Sequence, residues 1–294
     1  MKSVKFLLTG MIIAAAMWGG IARADTLEAR EYAATATPSW ETSPRLGADG
    51  VSDLVVFTRR ELLADGSMSK GDIWYQRLAG GAPSGAAVQV TSDAQDNQLN
   101  DVSGDFIVYT AYDSTSSMSG RIMVYQISTA SLQDIGFGAL VMQEPRISGS
   151  KLVWREGGAT DTQVMLYDLS WIGTAHDADI IAGPIPSTYN VDIGDRFVVW
   201  AERSSTQQDI FAYDIAAGIR IGITATLTTI ESEPSTSGAW TVWQAQDKGV
   251  AASRIVAKNI DTREERIIAD GGVYNFRPSM DADLIASRPL HAVF

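Results

Sequence analysis

The chain has 294 residues, 45% of them apolar and 20% charged, with a formal net charge of −12 and no cysteine. That composition supplies ample core for a folded chain, and its length fits a single closed β domain of ~250 residues. The missing thiols exclude disulfides, thiolate metal sites, a cysteine nucleophile and a lipidated cysteine, and an acidic balance without any Lys/Arg cluster excludes a nucleic-acid partner.

In chain order, residues 1–24 read as a signal peptide: Lys2 and Lys5 precede an apolar stretch, and Ala22-Arg23-Ala24 supplies the small-x-small cleavage site. The stretch is broken by Thr9 and Gly10 and falls short of the ~20 residues a spanning helix needs. The expected product is residues 25–294, a single domain that is periplasmic or secreted, with no membrane anchor after cleavage. Cleavage removes three basic residues and no acid, which takes the net charge to −15.

Beyond the signal, one pattern recurs. An apolar run ends in an aromatic at Phe57, Tyr109, Trp154, Trp200 and Trp243, and the last four are spaced by 45, 46 and 43 residues. Each run is followed by a polar or Gly-rich loop and a second run of the DIFAYDI type, then by a third after a short turn. A polar loop next leads to an anchor before the following Gly, at Pro44, Asn100, Pro145, Asn190, Pro234 and Pro278. Each copy therefore predicts four short strands, a to d, in about 45 residues.

The b and c runs are apolar on both faces, so each sheet must sit between other sheets. A four-stranded unit of ~40 to 50 residues matches a propeller blade, whereas a sandwich domain needs ~100. The fold class is thus all-β, a β-propeller of four-stranded antiparallel blades. Five copies are complete over residues 42–270, and the C-terminus supplies the a and b strands of a sixth. Residues 30–36 stand where a d strand would, so the N-terminus is expected to close a six-bladed ring; five blades plus a tail is the alternative.

The repeat resembles that of TolB-type six-bladed propellers of exported bacterial proteins, in PRISGSKLVW with QVMLYDL and NVDIGDRFVVW with DIFAYDI. It is more similar still to the variant in bacterial and archaeal surface proteins, whose inner turn reads Ser-Gly-Asp and whose b strand ends in Val-Val-Trp. The resemblance implies a fold and a compartment. TolB's own role does not carry over, because here the signal leads straight into blade strands.

The candidate chemistry is sparse. Trp154, Trp200 and Trp243 occupy one repeat position and are expected to fill the gaps between blades, whereas Trp40, Trp171 and Trp240 fall off that register. Only His176 and His291 exist, too few for a histidine metal site, and residues 91–101 offer Asp93, Asp96, Asn97 and Asp101 without calcium-loop spacing. No motif implies a cofactor and no nucleophile elbow appears. Glu144, Glu202, Glu231 and Glu233 are the carboxylates a glycosidase mechanism would draw on.

Topology gives the better lead. In an antiparallel blade the d-to-a and b-to-c loops emerge on one face of the disc, where recognition concentrates. That face is expected to gather Gln98, Asn100, Gln143, Glu144, Tyr189, Asn190, Glu233 and Arg277 from d-to-a loops. Tyr112, Arg155, Glu156, Glu202, Arg203 and Gln244 come from b-to-c loops, with the longest such loop at residues 59–71. The reading is a non-catalytic protein-interaction or ligand-binding module; the alternative is a glycan-binding or glycan-cleaving propeller that uses the carboxylates of this face.

Overall fold

The computed structural model describes residues 39–113, 120–136, 142–158, 161–204, 206–270, 275–281 and 284–289, with side chains left aside at 275–277, 281 and 284–289. The signal segment, the expected closing strand at 30–36, and residues 290–294 lie outside these. Among the described residues no helix is long and apolar enough to cross a membrane.

Blade one comprises β1 (Trp40–Ala48), β2 (Asp53–Arg60), β3 (Asp72–Ala79) and β4 (Ala82–Gln89). Blade two is β5 (Asp96–Ser103), β6 (Phe106–Tyr112), β7 (Gly120–Gln126) and β8 (Ser131–Asp134). Blade three is β9 (Met142–Ser148), β10 (Lys151–Gly157), β11 (Thr162–Asp168) and β12 (Asp179–Ile185), with a 3-10 turn at Leu169–Trp171. Blade four is β13 (Thr188–Ile193), β14 (Phe197–Arg203), β15 (Gln208–Asp214) and β16 (Ile219–Gly222). Blade five is β17 (Thr229–Ser237), β18 (Trp240–Asp247), β19 (Ser253–Asn259) and β20 (Glu265–Ala269), and β21 (Asn275–Asp281) pairs with β22 (Leu284–Pro289) as the start of a sixth unit.

Strands within each sheet pair antiparallel in chain order, and the first strands of successive sheets are neighbours, as a propeller requires. Blades four and five are also joined by one parallel bridge, Gln208 to Ile230. The a-to-b turns explain the recurring Ser-Gly pair. Gly104, Gly149 and Gly238 have φ of 53°, 57° and 55°, a left-handed conformation that hairpin turns favour and that glycine adopts without a side-chain penalty.

Alternate residues of one strand serve different seams, which is why the runs are apolar on both faces. In β10, Leu152 and Trp154 pack in the cluster shared with blade two, whereas Val153 packs with Val191, Ile193 and Trp200 of blade four. Trp154, Trp200 and Trp243 are all fully buried, each against the preceding blade. Blade one differs along its inner strand. Val102, Ile147 and Ile193 are buried against the preceding blade, but Leu46 at the same register is 64% exposed.

Candidate functional site

The inner strands share one irregularity. In every a-b pair the register shifts at the same place: past Thr42, Leu99, Gln143, Tyr189, Ser232 and Phe276. At four of these bulges a non-glycine residue is left-handed, with φ of 52° at Ser43, 56° at Glu144, 52° at Asn190 and 53° at Glu233. Such backbone costs of order 1 kcal/mol per residue, and bulges of this kind re-aim side chains near functional sites. A proline follows Ser43, Glu144 and Glu233 and disfavours right-handed helical backbone at the residue before it. The register corrects one assignment: Asn190 is not an anchor equivalent to the prolines but a bulge residue equivalent to Glu144, and Val191 holds the anchor position.

The residue after each anchor forms a ring that the sequence did not single out: Arg45, Asp101, Arg146, Asp192, Ser235 and Ser279. Several stitch one blade to the next. Ile147 N donates to Asp101 Oδ2 at 3.0 Å, Thr236 N donates to Asp192 Oδ2 at 3.0 Å, and Met280 N donates to Ser235 Oγ at 3.1 Å. Burial pushes the Asp101 and Asp192 carboxyls up, and Arg146 opposes that shift in both. Arg45 and Arg146 each donate to the Asn100 carbonyl, at 3.0 and 3.4 Å. The signal that finds this ring is the periodic position itself, read one residue past the anchor.

At the mouth of the channel, blades three and four bring six of the expected residues together. Arg155 of β10 donates to Gln143 Oε1 and, at 2.9 Å, to the Thr188 carbonyl; its Nε lies 4.0 Å from Glu144 Oε2. The same Glu144 oxygen accepts from Asn190 N at 3.1 Å. The Arg155 guanidinium stands 5.8 Å from the centre of the Tyr189 ring. Hydrogen bonds from Ser187 and Arg203 hold the Tyr189 phenol below its ordinary pKa, and the charges of Arg203 and Arg155 act in the same direction. The result is a half-buried tyrosine that two guanidiniums approach, next to the left-handed Asn190, in a chain that is otherwise strongly acidic.

Elsewhere the structure uses the expected residues internally. The indole N–H of Trp154 donates to Glu156 Oε2 at 3.1 Å, and that of Trp200 donates to Glu202 Oε1 at 2.7 Å. Arg220 donates to both oxygens of Glu202 at 2.7 Å, while burial pushes the Glu202 carboxyl up. Gln98 is exposed and donates to Asp96, Asn100 accepts from Thr110, Tyr112 is half-buried, and Gln244 is buried in β18. Glu233 is one of the left-handed bulge residues, and the side chain of Arg277 lies outside the described residues.

Among the described residues no group of three or more His, Asp or Glu converges as metal ligands. Asp96, one of the oxygen donors of residues 91–101, instead accepts from Arg60 at 2.6 Å and from Gly71 N at 2.8 Å. His176 stacks on Trp171 with ring centres 3.8 Å apart. A cavity of about 410 Å³ opens at the opposite end of the disc between blades two and three, bordered by Phe106, Gln126, Gln133 and Ile172.

One carboxyl stands apart. Glu231 of β17 is 3% exposed, and burial pushes it up to about 7, with the nearby Asp209 adding to the shift. Its Oε1 accepts from Thr226 at 3.0 Å, while Oε2 has no hydrogen-bond partner among the described residues.

No family model and no curated protein matches the chain. Solved structures do. TolB from Acinetobacter baumannii superposes with a TM-score of 0.52 at 16% identity, over 80% of this chain and 56% of that one. The chain thus spans little more than half the length of that protein. A TolB from Agrobacterium tumefaciens superposes at 0.57 with 14% identity, over 90% of this chain and 94% of that one. An oligogalacturonate lyase in complex with manganese superposes at 0.51 with 12% identity, over 79% and 74%. At such identities the likeness shows the fold alone: this chain has a β-propeller fold similar to that of those proteins.

Proposed function

We propose that the protein is an exported, non-catalytic propeller that recognises another protein through the channel mouth at blades three and four. The observation that carries this is the Tyr189 cluster, where Arg155, Arg203 and Gln143 meet the left-handed inner-strand residues Glu144 and Asn190. Tyrosine and arginine are the side chains that contribute most to interfaces, because each combines contact area with directed hydrogen bonds. The carboxylates argue the same way. A glycan-cleaving site needs two carboxyls facing a cleft, whereas Glu156 and Glu202 are tied to tryptophans, Glu144 is tied to Asn190 and Arg155, and Glu231 is buried.

In the same reading the signal peptide delivers the chain to the periplasm or the exterior, and residues 30–36 supply the outer strand of a sixth blade. Chemical cross-linking in envelope extracts tests the interaction face. Cross-links formed by the wild type are expected to persist in a Gln133→Ala control on the opposite end and to vanish in Tyr189→Ala/Arg203→Ala. Identical profiles for all three proteins would remove the channel mouth as the interaction face.

A further inference from the structure

The end of the disc opposite the proposed interaction face has a construction of its own, and it comes from blade three. In blades one, two, four and five the third and fourth strands are joined by residues 80–81, 127–130, 215–218 and 260–264, whereas in blade three the connection runs from 169 to 178. This longer segment is braced along its length. Asp168 accepts from Ser170 N at 2.9 Å, the Trp171 carbonyl accepts from Thr174 N and Oγ1 at 2.9 and 2.7 Å, and Leu169 N donates to the Ser150 carbonyl at 2.8 Å. Tyr167 and His176 both pack on the Trp171 ring, the second face to face. Held in this way, the segment walls the seam with blade two and encloses the cavity of about 410 Å³. Cavities of that size, formed before a ligand arrives, are characteristic of small-molecule sites.

The lining combines apolar surface with neutral hydrogen-bonding groups. Val124 and Leu169 are buried and Phe106 and Ile172 half-buried, which gives the apolar part. The polar part consists of the Gln126 and Gln133 carboxamides and the hydroxyls of Ser131, Ser150 and Ser170. Gln126 is fixed at both ends of its amide, donating to Asp105 at 2.9 Å and accepting from Thr129 at 3.1 Å, while the Gln133 side chain makes no hydrogen bond among the described residues. No ionisable side chain lines the cavity. The charged residues next to the lining in sequence are engaged by partners of their own: Lys151 with Asp168 at 3.5 Å, Asp134 with Arg121 at 2.8 Å, and Asp105 with Ser128 N at 2.7 Å.

That chemistry selects its ligand. A charged molecule would give up hydration here without gaining a counter-ion, and a wholly apolar one would leave the carboxamides and hydroxyls unmet. A neutral sugar satisfies both halves of the lining. The C–H face of its ring matches the apolar surface, and its hydroxyls donate and accept as carboxamides and serines do.

We propose that the cavity between blades two and three is a binding site for a neutral saccharide unit, distinct from the protein-recognition face and independent of it. The same chemistry fits a free sugar and the end of a glycan chain.

Saturation-transfer NMR of the full chain tests this with glucose, galactose and N-acetylglucosamine, with cellobiose, lactose and chitobiose as short chains, and with glucuronic acid as a charged counterpart. Transfer to at least one neutral sugar is expected, and none to glucuronic acid. A response to monosaccharides marks a free-sugar site and a response confined to disaccharides marks a glycan-end site; both uphold the proposal. Ile172→Trp, which fills the cavity, should abolish the signal. Gln133→Ala, on the edge strand β8, should weaken binding about tenfold through its lost hydrogen bonds, and it carries the test should Ile172→Trp fold poorly. No transfer to any neutral sugar at about 10 mM, transfer to glucuronic acid matching that to the neutral sugars, or binding unchanged in both variants overturns the site. Tyr189→Ala/Arg203→Ala should bind sugar as the wild type does, so failure of the interaction face and failure of the sugar site are separate results.

Discussion

At the seam between blades three and four, Trp200 gives its indole N–H to Glu202, two residues further along the same strand, and Arg220 closes the charge. At the seam between blades four and five, Trp243 occupies the same slot, but the residue two further on is Ala245, and the carboxyl facing it across the pair belongs to Glu231 on the inner strand. Moving the acid one strand inward changes its chemistry. Glu202 sits near the end of β14 within reach of a cation from the outer strand, and burial raises it only in part against Arg220 and Trp200. Glu231 has no such cation, so burial pushes it up to about 7, and both its Oε2 and the Trp243 Nε1 are left without hydrogen-bond partners among the described residues. The space beside the seam tryptophan thus holds an ion pair in one seam and a carboxyl shifted towards neutrality in the next.

The largest expected effect breaks the feature the two seams share. Trp200→Ala removes a fully buried side chain that also engages Glu202, and should cost about 3–5 kcal/mol. For a chain of this size that is on the order of 10 °C in Tm, and an unchanged Tm by calorimetry would place Trp200 outside the seam core.

A smaller effect separates the seams by pH. Glu231 is raised from 4.5 to about 7 in the fold, so the folded state binds the proton more tightly than the unfolded chain does. Its contribution to stability is therefore full below about pH 4.5, is lost as pH rises to about 7, and stays level above that. Chemical denaturation of the wild type and Glu231→Gln across that range should show their stability difference changing by on the order of 2–3 kcal/mol in this direction. Asp101 and Asp192 titrate in both proteins and cancel in the difference. A difference that does not vary with pH would mean that the fold does not shift Glu231.

The smallest effect concerns the bulges that carry the proposed interaction face. Ser43 is exposed and left-handed, and it precedes Pro44. Ser43→Gly should raise stability by a few tenths to about 1 kcal/mol by relieving its backbone. A loss of similar size would show that the bulge is not strained.

The blades were legible in the residues: the fixed spacing of Tyr109, Trp154, Trp200 and Trp243, and runs such as DIFAYDI that are apolar on both faces, have no other economical solution than sheets packed face to face around an axis. The site was legible only in outline. Loop topology placed Gln143, Glu144, Arg155, Tyr189, Asn190 and Arg203 on one face, and there they meet. The same reasoning placed Glu156 and Glu202 beside them as equals, although an alternating strand points each back beneath the tryptophan two residues earlier. The channel ring from Arg45 to Ser279 escaped notice because its residue types vary, with arginine, aspartate and serine sharing one position.

By itself, the sequence determined that the chain is a ring of repeated four-stranded sheets, because periodic burial is a property of residue order. Tertiary structure alone decided what each acid became. Whether a carboxyl is paired, buried or exposed depends on which groups the fold brings within a few ångströms of it, from Arg220, 18 residues beyond Glu202, to Asn190, 46 residues beyond Glu144.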